Sequence, residues 1–127
     1  MRALLDTHAL LWWWTNDTRL SHSARELLLA AEYEVFVSAA SAWEIATKDR
    51  LGKLGIPQAH ARYNELIALD GFSHLPITAA HSLRAGAYPQ PHRDPFDRML
   101  AAQAELDGLT LITNDPALEA FPAQRLW

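Results

Sequence analysis

Short apolar runs, each leading into a segment of helical spacing, recur along the whole chain and restrict it to an alternating α/β plan. Arg2–Leu5 stops at Asp6, and Leu109–Thr113 runs into Asn114 and Asp115. Glu34–Ser38, centred on Val35, Phe36 and Val37, and His74–Ile77 are two further runs of strand length. Between them the spacing changes: Ala24, Leu27, Leu28 and Ala31 fall at i, i+3, i+4 and i+7, one face of an α-helix. Helices are predicted over Thr7–Trp14, Ser21–Glu32, Ser41–Arg50, Pro57–Leu69, Thr78–Ala87 and Pro95–Leu106. A helical turn is predicted over Pro116–Ala120 and an edge strand over Gln124–Leu126. Pro57 suits a first helical turn, and Pro89 and Pro91 mark 88–93 as loop. Strands and helices alternating over such short connections imply a three-layer α/β/α fold around a central parallel sheet of about four to five strands.

Composition narrows the class. A length of 127 residues suits one domain. The absence of cysteine excludes a disulfide framework and a thiolate metal site, and fits a reducing cytoplasm. The opening apolar run is cut short by Asp6, so neither a leader nor a membrane span is expected. Eleven basic against 15 acidic residues leave a net charge of −4, whereas a protein that binds duplex DNA over its whole surface is basic. A nucleic-acid substrate would therefore need a local device against repulsion, and a divalent metal is the obvious one.

The acids carry the chemistry. In an open parallel sheet the strand C-termini share one edge, where active-site crevices form, so acids from opposite ends of the chain can meet there. Asp6, Glu44, Asp94, Asp97 and Asp115 all fall beside such ends or at helix starts. Each has a structural explanation. Asp6 can cap a helix; Ser41-Ala42-Trp43-Glu44 reads as a capping box; Asp94-Pro95-Phe96-Asp97 reads as cap, proline and third-position acid; Asp115-Pro116 repeats the cap. Jointly they imply more, because several carboxylates on one edge repel by roughly a kcal/mol per close pair. A raised pKa or a bound cation relieves that, and an all-oxygen set suits Mg²⁺ or Mn²⁺. Such ions activate water and stabilise the leaving oxygen of a phosphodiester.

The motifs then become specific. Leu4-Leu5-Asp6-Thr7-His8-Ala9-Leu10-Leu11-Trp12 resembles the opening of PIN-domain ribonucleases of the VapC toxin branch. Ser38 to Lys48, with Gly52-Lys53-Leu54 after it, resembles that branch's second motif. Asp94 to Ala104 resembles the third, and Leu111-Ile112-Thr113-Asn114-Asp115 the fourth. The resemblance puts the four family acids on Asp6, Glu44, Asp97 and Asp115, as catalytic and metal-holding residues. Asp97 is preferred to Asp94 because it opens the D-x-x-x-A-A-x-A pattern; Asp94, Thr7, Thr113 and Asn114 are left as supporting residues. It further implies an Mg²⁺- or Mn²⁺-dependent endoribonuclease with one or two ions, a homodimer, and an antitoxin partner. Cleavage by activated water would leave 5′-phosphate and 3′-hydroxyl ends.

Other residues invite a partner reading. Trp12, Trp13 and Trp14 are consecutive; at 100° per residue they span a wide arc. Trp13 and Trp14 are therefore expected to meet a second copy or an antitoxin helix, against the alternative that they fill the core; stacking of the run on RNA bases is a further, less favoured alternative. An antitoxin arginine would enter the acid cleft in place of metal. Lys48 lies four residues after Glu44, a surface pair or a contact to substrate phosphate; Arg93 and Arg98 flank the acidic helix start as contacts to RNA phosphates or to acids of a partner. His8 and His92 lie near the proposed edge and read as hydrogen-bonding or packing residues rather than metal ligands. A phosphorelay receiver would need a second acid beside Asp6 and a late lysine, yet Lys48 and Lys53 are the only lysines. A non-catalytic acidic interaction domain remains the other alternative.

Overall fold

Side chains of a β-strand alternate between its two faces, and the strand at the centre of this protein is buried on both. The computed structural model describes residues 1–127. Strands β1 (Arg2–Leu5), β2 (Glu34–Ser38), β3 (Ser73–Leu75), β4 (Thr110–Ile112) and β5 (Arg125–Leu126) form one sheet in the order β3-β2-β1-β4-β5. Every pairing is parallel, with Leu5 opposite Val37 on one side and Ile112 on the other. Parallel strands covered on both faces read as continuous apolar runs, as Ala3, Leu4 and Leu5 do.

Six helices cover the sheet: α1 (Thr7–Thr15), α2 (His22–Leu29), α3 (Ala39–Arg50), α4 (Tyr63–Leu69), α5 (Ala79–Ala87) and α6 (Pro95–Asp107). Ala3, Leu5, Val35, Val37 and Ile112 join one apolar cluster with α1, α2 and Ile45 of α3. Leu4 and Leu111 join a second with α5, α6 and Phe121. These are the outer layers of the three-layer fold. The chain winds from β1 to β2 and β3, then crosses back to β4 beside β1. Ligands of open α/β sheets bind outside the strand ends at such a reversal.

Several expected boundaries move, each for a local reason. The predicted Ser41–Glu44 capping box does not form, because α3 starts earlier: Ser38 caps it by accepting the Ala40 N–H at 3.0 Å. Ser41 is inside the helix, and Glu44 is in its second turn. The helix expected over Pro57–Leu69 shrinks to Tyr63–Leu69, since Gln58 adopts a left-handed φ of 68° and 57–62 is a series of turns. β3 ends at Leu75 rather than Ile77 because Pro76 has no N–H for the ladder. α2 stops at Leu29, short of Glu32.

Candidate active site

The sheet ladder sets the first acid. Beyond the end of β1, the Asp6 N–H donates to the Ile112 carbonyl at 3.1 Å, which holds Asp6 alongside the end of β4. Asp6 is buried, and both of its oxygens are engaged. Oδ1 accepts the Ala9 N–H at 2.9 Å and so caps α1; Oδ2 accepts the Thr113 hydroxyl at 2.6 Å. The same Thr113 oxygen accepts the Asp115 N–H at 3.1 Å. Thr113 thus ties the acid after β1 to the acid after β4, the supporting place expected for it. Asp115 caps the 3₁₀ turn Pro116–Ala120 through Oδ1, which accepts the Ala117 N–H at 2.9 Å. Thr7 is buried with its hydroxyl 2.9 Å from that of Ser41, joining α1 to α3, whereas Asn114 is exposed and makes no side-chain hydrogen bond.

The start of α6 supplies the rest. Asp94 Oδ1 accepts the N–H groups of Phe96 at 2.9 Å and Asp97 at 3.3 Å, with Pro95 at the first helical position. Asp94 therefore caps, and Asp97 is left without a capping duty. Its Oδ2 instead meets His92 Nε2 at 2.9 Å. His92, Asp97 and Asp115 each offer a ligand atom within 4.8 Å of the others. The hydrogen bond fits the sequence expectation for His92; its place among the possible ligands was not expected.

Burial dominates the electrostatics. It raises the Asp6 carboxyl above its ordinary value, although Thr113 and the Ala9 N–H both favour the anion. Asp97 is pushed up to about 6, first by burial and then by the charges of Asp94, Asp115 and Asp6, against the lowering effect of His92. Two acids that resist ionisation beside a third form a cleft short of positive charge, and a divalent cation would supply it. The donors fit one: carboxylate oxygens suit Mg²⁺ or Mn²⁺, and the imidazole broadens the expected all-oxygen set toward softer metals.

Glu44 stands apart from this ligand group. It is buried on α3, one turn beyond Ser41, and Lys48 Nζ holds its Oε2 at 2.8 Å. Lys48 so makes the internal pair with Glu44. Arg98 is a correction. All its donors go to backbone carbonyls: Nε to Ala85 at 2.9 Å, Nη1 to Gln90 at 2.8 Å and His92 at 3.0 Å, Nη2 to Tyr88 at 2.6 Å and Gly86 at 3.5 Å. A guanidinium has five N–H donors, so none remains for a substrate phosphate. Arg93 is exposed and makes no ion pair. The tryptophan run is half-buried against the core: Trp13 packs on Phe72, and Trp14 donates Nε1–H to Asp70 at 2.9 Å and packs edge-on against Tyr63. The tryptophan that stands out is Trp43, 62% exposed.

The chain is thus a parallel α/β domain with carboxylates and a histidine gathered at its chain reversal, a group that could hold a metal ion. More narrowly, the PIN domain pattern matches residues 3–123, and the chain belongs to the PIN domain family. Among solved structures it is similar to VapBC2 from Rickettsia felis, bound to a DNA fragment from their promoter: TM-score 0.75, 16% identity, covering 100% of this chain and 99% of that one. A toxin–antitoxin complex from Klebsiella pneumoniae gives a TM-score of 0.68 at 21% identity, covering 98% and 96% of the two chains. FitAB bound to a DNA fragment gives 0.64 at 21%, covering 99% and 94%. Identities this low mark a shared fold. No curated protein matches in sequence, and no helix is long and apolar enough to cross a membrane.

Proposed function

We propose that this protein is a divalent-metal-dependent endoribonuclease, the toxin of a toxin–antitoxin pair acting in the cytoplasm as a homodimer. The observation that carries the reading is the convergence of His92, Asp97 and Asp115 within ligand distance, with Asp97 pushed up to about 6. The resemblance of the motifs and the toxin–antitoxin context of the similar structures support the biological role. Asp97 and Asp115 would hold Mg²⁺ or Mn²⁺, with Asp6 and Glu44 as the family's remaining acids. Such an ion, when bound, supplies an activated water and charge neutralisation at the departing 3′ oxygen.

The protein's own residues prepare that site. Thr113 fixes the Asp6 carboxylate and the Asp115 backbone with one hydroxyl. Asp94 anchors the first turn of α6, so that Asp97 projects from a rigid helix start. His92 holds the Asp97 carboxyl by hydrogen bond. No side-chain nucleophile is present or needed. The test is cleavage of a structured RNA with Mg²⁺, Mn²⁺ or chelator, followed by mapping of the ends. Metal-dependent cleavage leaving 5′-phosphates, abolished in Asp97→Asn, is expected. Undiminished cleavage in chelator, or by Asp97→Asn, would overturn the reading.

A further inference from the structure

Beside the acid cleft lies a groove of about 360 Å³ between α1, the turn after it, the end of α3 and the loop beyond, a size in the range of small-ligand pockets. His8, Trp12, Arg19, Lys48 and Lys53 line it, with Asp17 as its one carboxylate. Three cations are thus concentrated in one groove of a chain whose net charge is −4. The geometry is built by two matching helix ends. At α3, Lys53 N–H donates to the Lys48 carbonyl at 2.8 Å and Gly52 N–H to Asp49 at 3.0 Å. Gly52 takes a left-handed φ of 70°, which completes a Schellman turn and returns Lys53 toward Lys48. At α1, Asp17 N–H donates to the Trp12 carbonyl at 2.9 Å and Asn16 N–H to Trp13 at 3.4 Å, with Asn16 left-handed at φ 54°.

That second turn presents Asp17, which grips Arg19 by two contacts, Nε to Oδ1 at 3.1 Å and Nη2 to Oδ2 at 2.8 Å. Arg19 is held over the Trp12 ring, 5.0 Å from its centroid. His8 stacks on the same ring at 5.8 Å with an interplanar angle of 28°, and His8 is exposed. The groove therefore combines an aromatic stack with ammonium groups. Lys48 is occupied by Glu44, but Lys53 makes no ion pair and is exposed. A surface of aromatic faces and basic groups is how proteins hold a single nucleic-acid strand without reading its sequence. The groove lies on the Asp6 side of the cleft: His8, which lines it, is two residues beyond Asp6.

We propose that this groove is a nucleotide subsite for the single-stranded RNA that enters the acid cleft, with a base stacked on His8 and Trp12 and a flanking phosphate on Lys53. The proposal rests on the ribonuclease reading above and is tested separately from it. A short fluorescein-labelled single-stranded RNA of mixed sequence is titrated with the full-length protein in chelator, where no cleavage occurs. Lys53→Ala should weaken binding about fivefold and flatten the plot of log K against log salt by about 0.7, the loss of one single-strand phosphate contact. His8→Ala should weaken it several-fold without changing the salt slope, as loss of stacking does. Both positions are exposed, so both variants should melt with wild type. Asp97→Asn should bind normally and fail to cleave, which separates the subsite from catalysis. If wild type cleaves RNA while Lys53→Ala and His8→Ala keep its affinity and salt slope, the subsite is wrong and the nuclease stands. If they bind weakly while wild type cleaves nothing, the subsite stands without the nuclease. If they leave RNA binding intact but release a protein that co-purifies with wild type, the groove docks a protein and the proposal fails.

Discussion

Replacing Arg98 by lysine should loosen the segment that carries His92, because no other side chain holds so much backbone. Its five contacts run to the carbonyls of Ala85, Gly86, Tyr88, Gln90 and His92, so one guanidinium closes α5 and the following loop onto α6. An ammonium has only three donors, and at least two of those bonds cannot be remade. A hydrogen bond from a charged group contributes about 1.5–3 kcal/mol. Arg98 is half-buried, so water replaces part of the loss, and a net cost of roughly 2–3 kcal/mol follows. For a domain of this length that is a melting shift of about 6–12 °C.

The assay is urea unfolding of Arg98→Lys beside Arg93→Ala, whose exposed guanidinium has no ion-pair partner. The midpoint should fall for Arg98→Lys at unchanged slope, while Arg93→Ala stays within about 0.5 kcal/mol of wild type. Amide exchange should also quicken at Tyr88, Gln90 and His92 before α6 opens. Equal and negligible shifts in the two variants would refute the clasp.

Three further outcomes are expected. The native state binds the Asp97 proton more tightly than the unfolded chain does, since the carboxyl rises from 3.8 to about 6; its stabilising contribution is full below about pH 4 and lost as pH rises through about 6. Asp97→Asn should therefore match wild type at pH 4 in urea unfolding and exceed it by roughly 1 kcal/mol at pH 7.5, allowing for solvent screening. Mg²⁺ or Mn²⁺ should raise the melting temperature of wild type more than that of Asp6→Asn or Asp97→Asn, because a ligand of the folded state stabilises it by mass action; equal shifts would put the cation elsewhere. Trp14→Phe keeps an aromatic side chain but loses the 2.9 Å bond to Asp70 and part of the indole packing on Tyr63, so it should cost at least about 1 kcal/mol in a melt and leave cleavage unchanged.

Strand and helix order was legible because buried parallel strands are apolar throughout and amphipathic helices are periodic. The caps at Asp6, Asp94 and Asp115 were legible for the same local reason, the preference of orphan N–H groups for a nearby carboxylate oxygen. What failed was whatever depended on a distant partner. Ser41 looked like a cap, but Ser38 caps an earlier start, and the Ser41 hydroxyl inside the helix meets Thr7 of α1 instead. Arg98 looked like a free cation, but its acceptors are carbonyls, which leave no mark on residue type. The intramolecular neighbours of Trp13 and Trp14, namely Phe72, Tyr63 and Asp70, could not be read either, although both rings stay half-buried. His92 could be placed near the edge, but not among the possible ligands, since a single histidine does not announce that role until Asp97 and Asp115 are beside it.

Capping and metal binding draw on different oxygens of a carboxylate, and this resolves why the cleft uses acids where neutral caps would serve. Asp115 gives Oδ1 to the Ala117 N–H and keeps Oδ2; Asp94 takes two N–H groups on Oδ1 alone. Serine or asparagine would cap as well but leave no second anionic oxygen. The helix starts in turn offset part of the repulsion, because α1, α3 and α6 all begin just beyond or beside the same strand ends and the partial positive charge of a helix N-terminus favours a nearby anion. That help falls short at Asp97, whose carboxyl still titrates near 6. Of the acids at the start of α6, Asp94 caps and Asp97 does not. Held only by His92 and raised first by burial and then by the charges of Asp94, Asp115 and Asp6, Asp97 is the carboxylate whose ionisation a cation would help most.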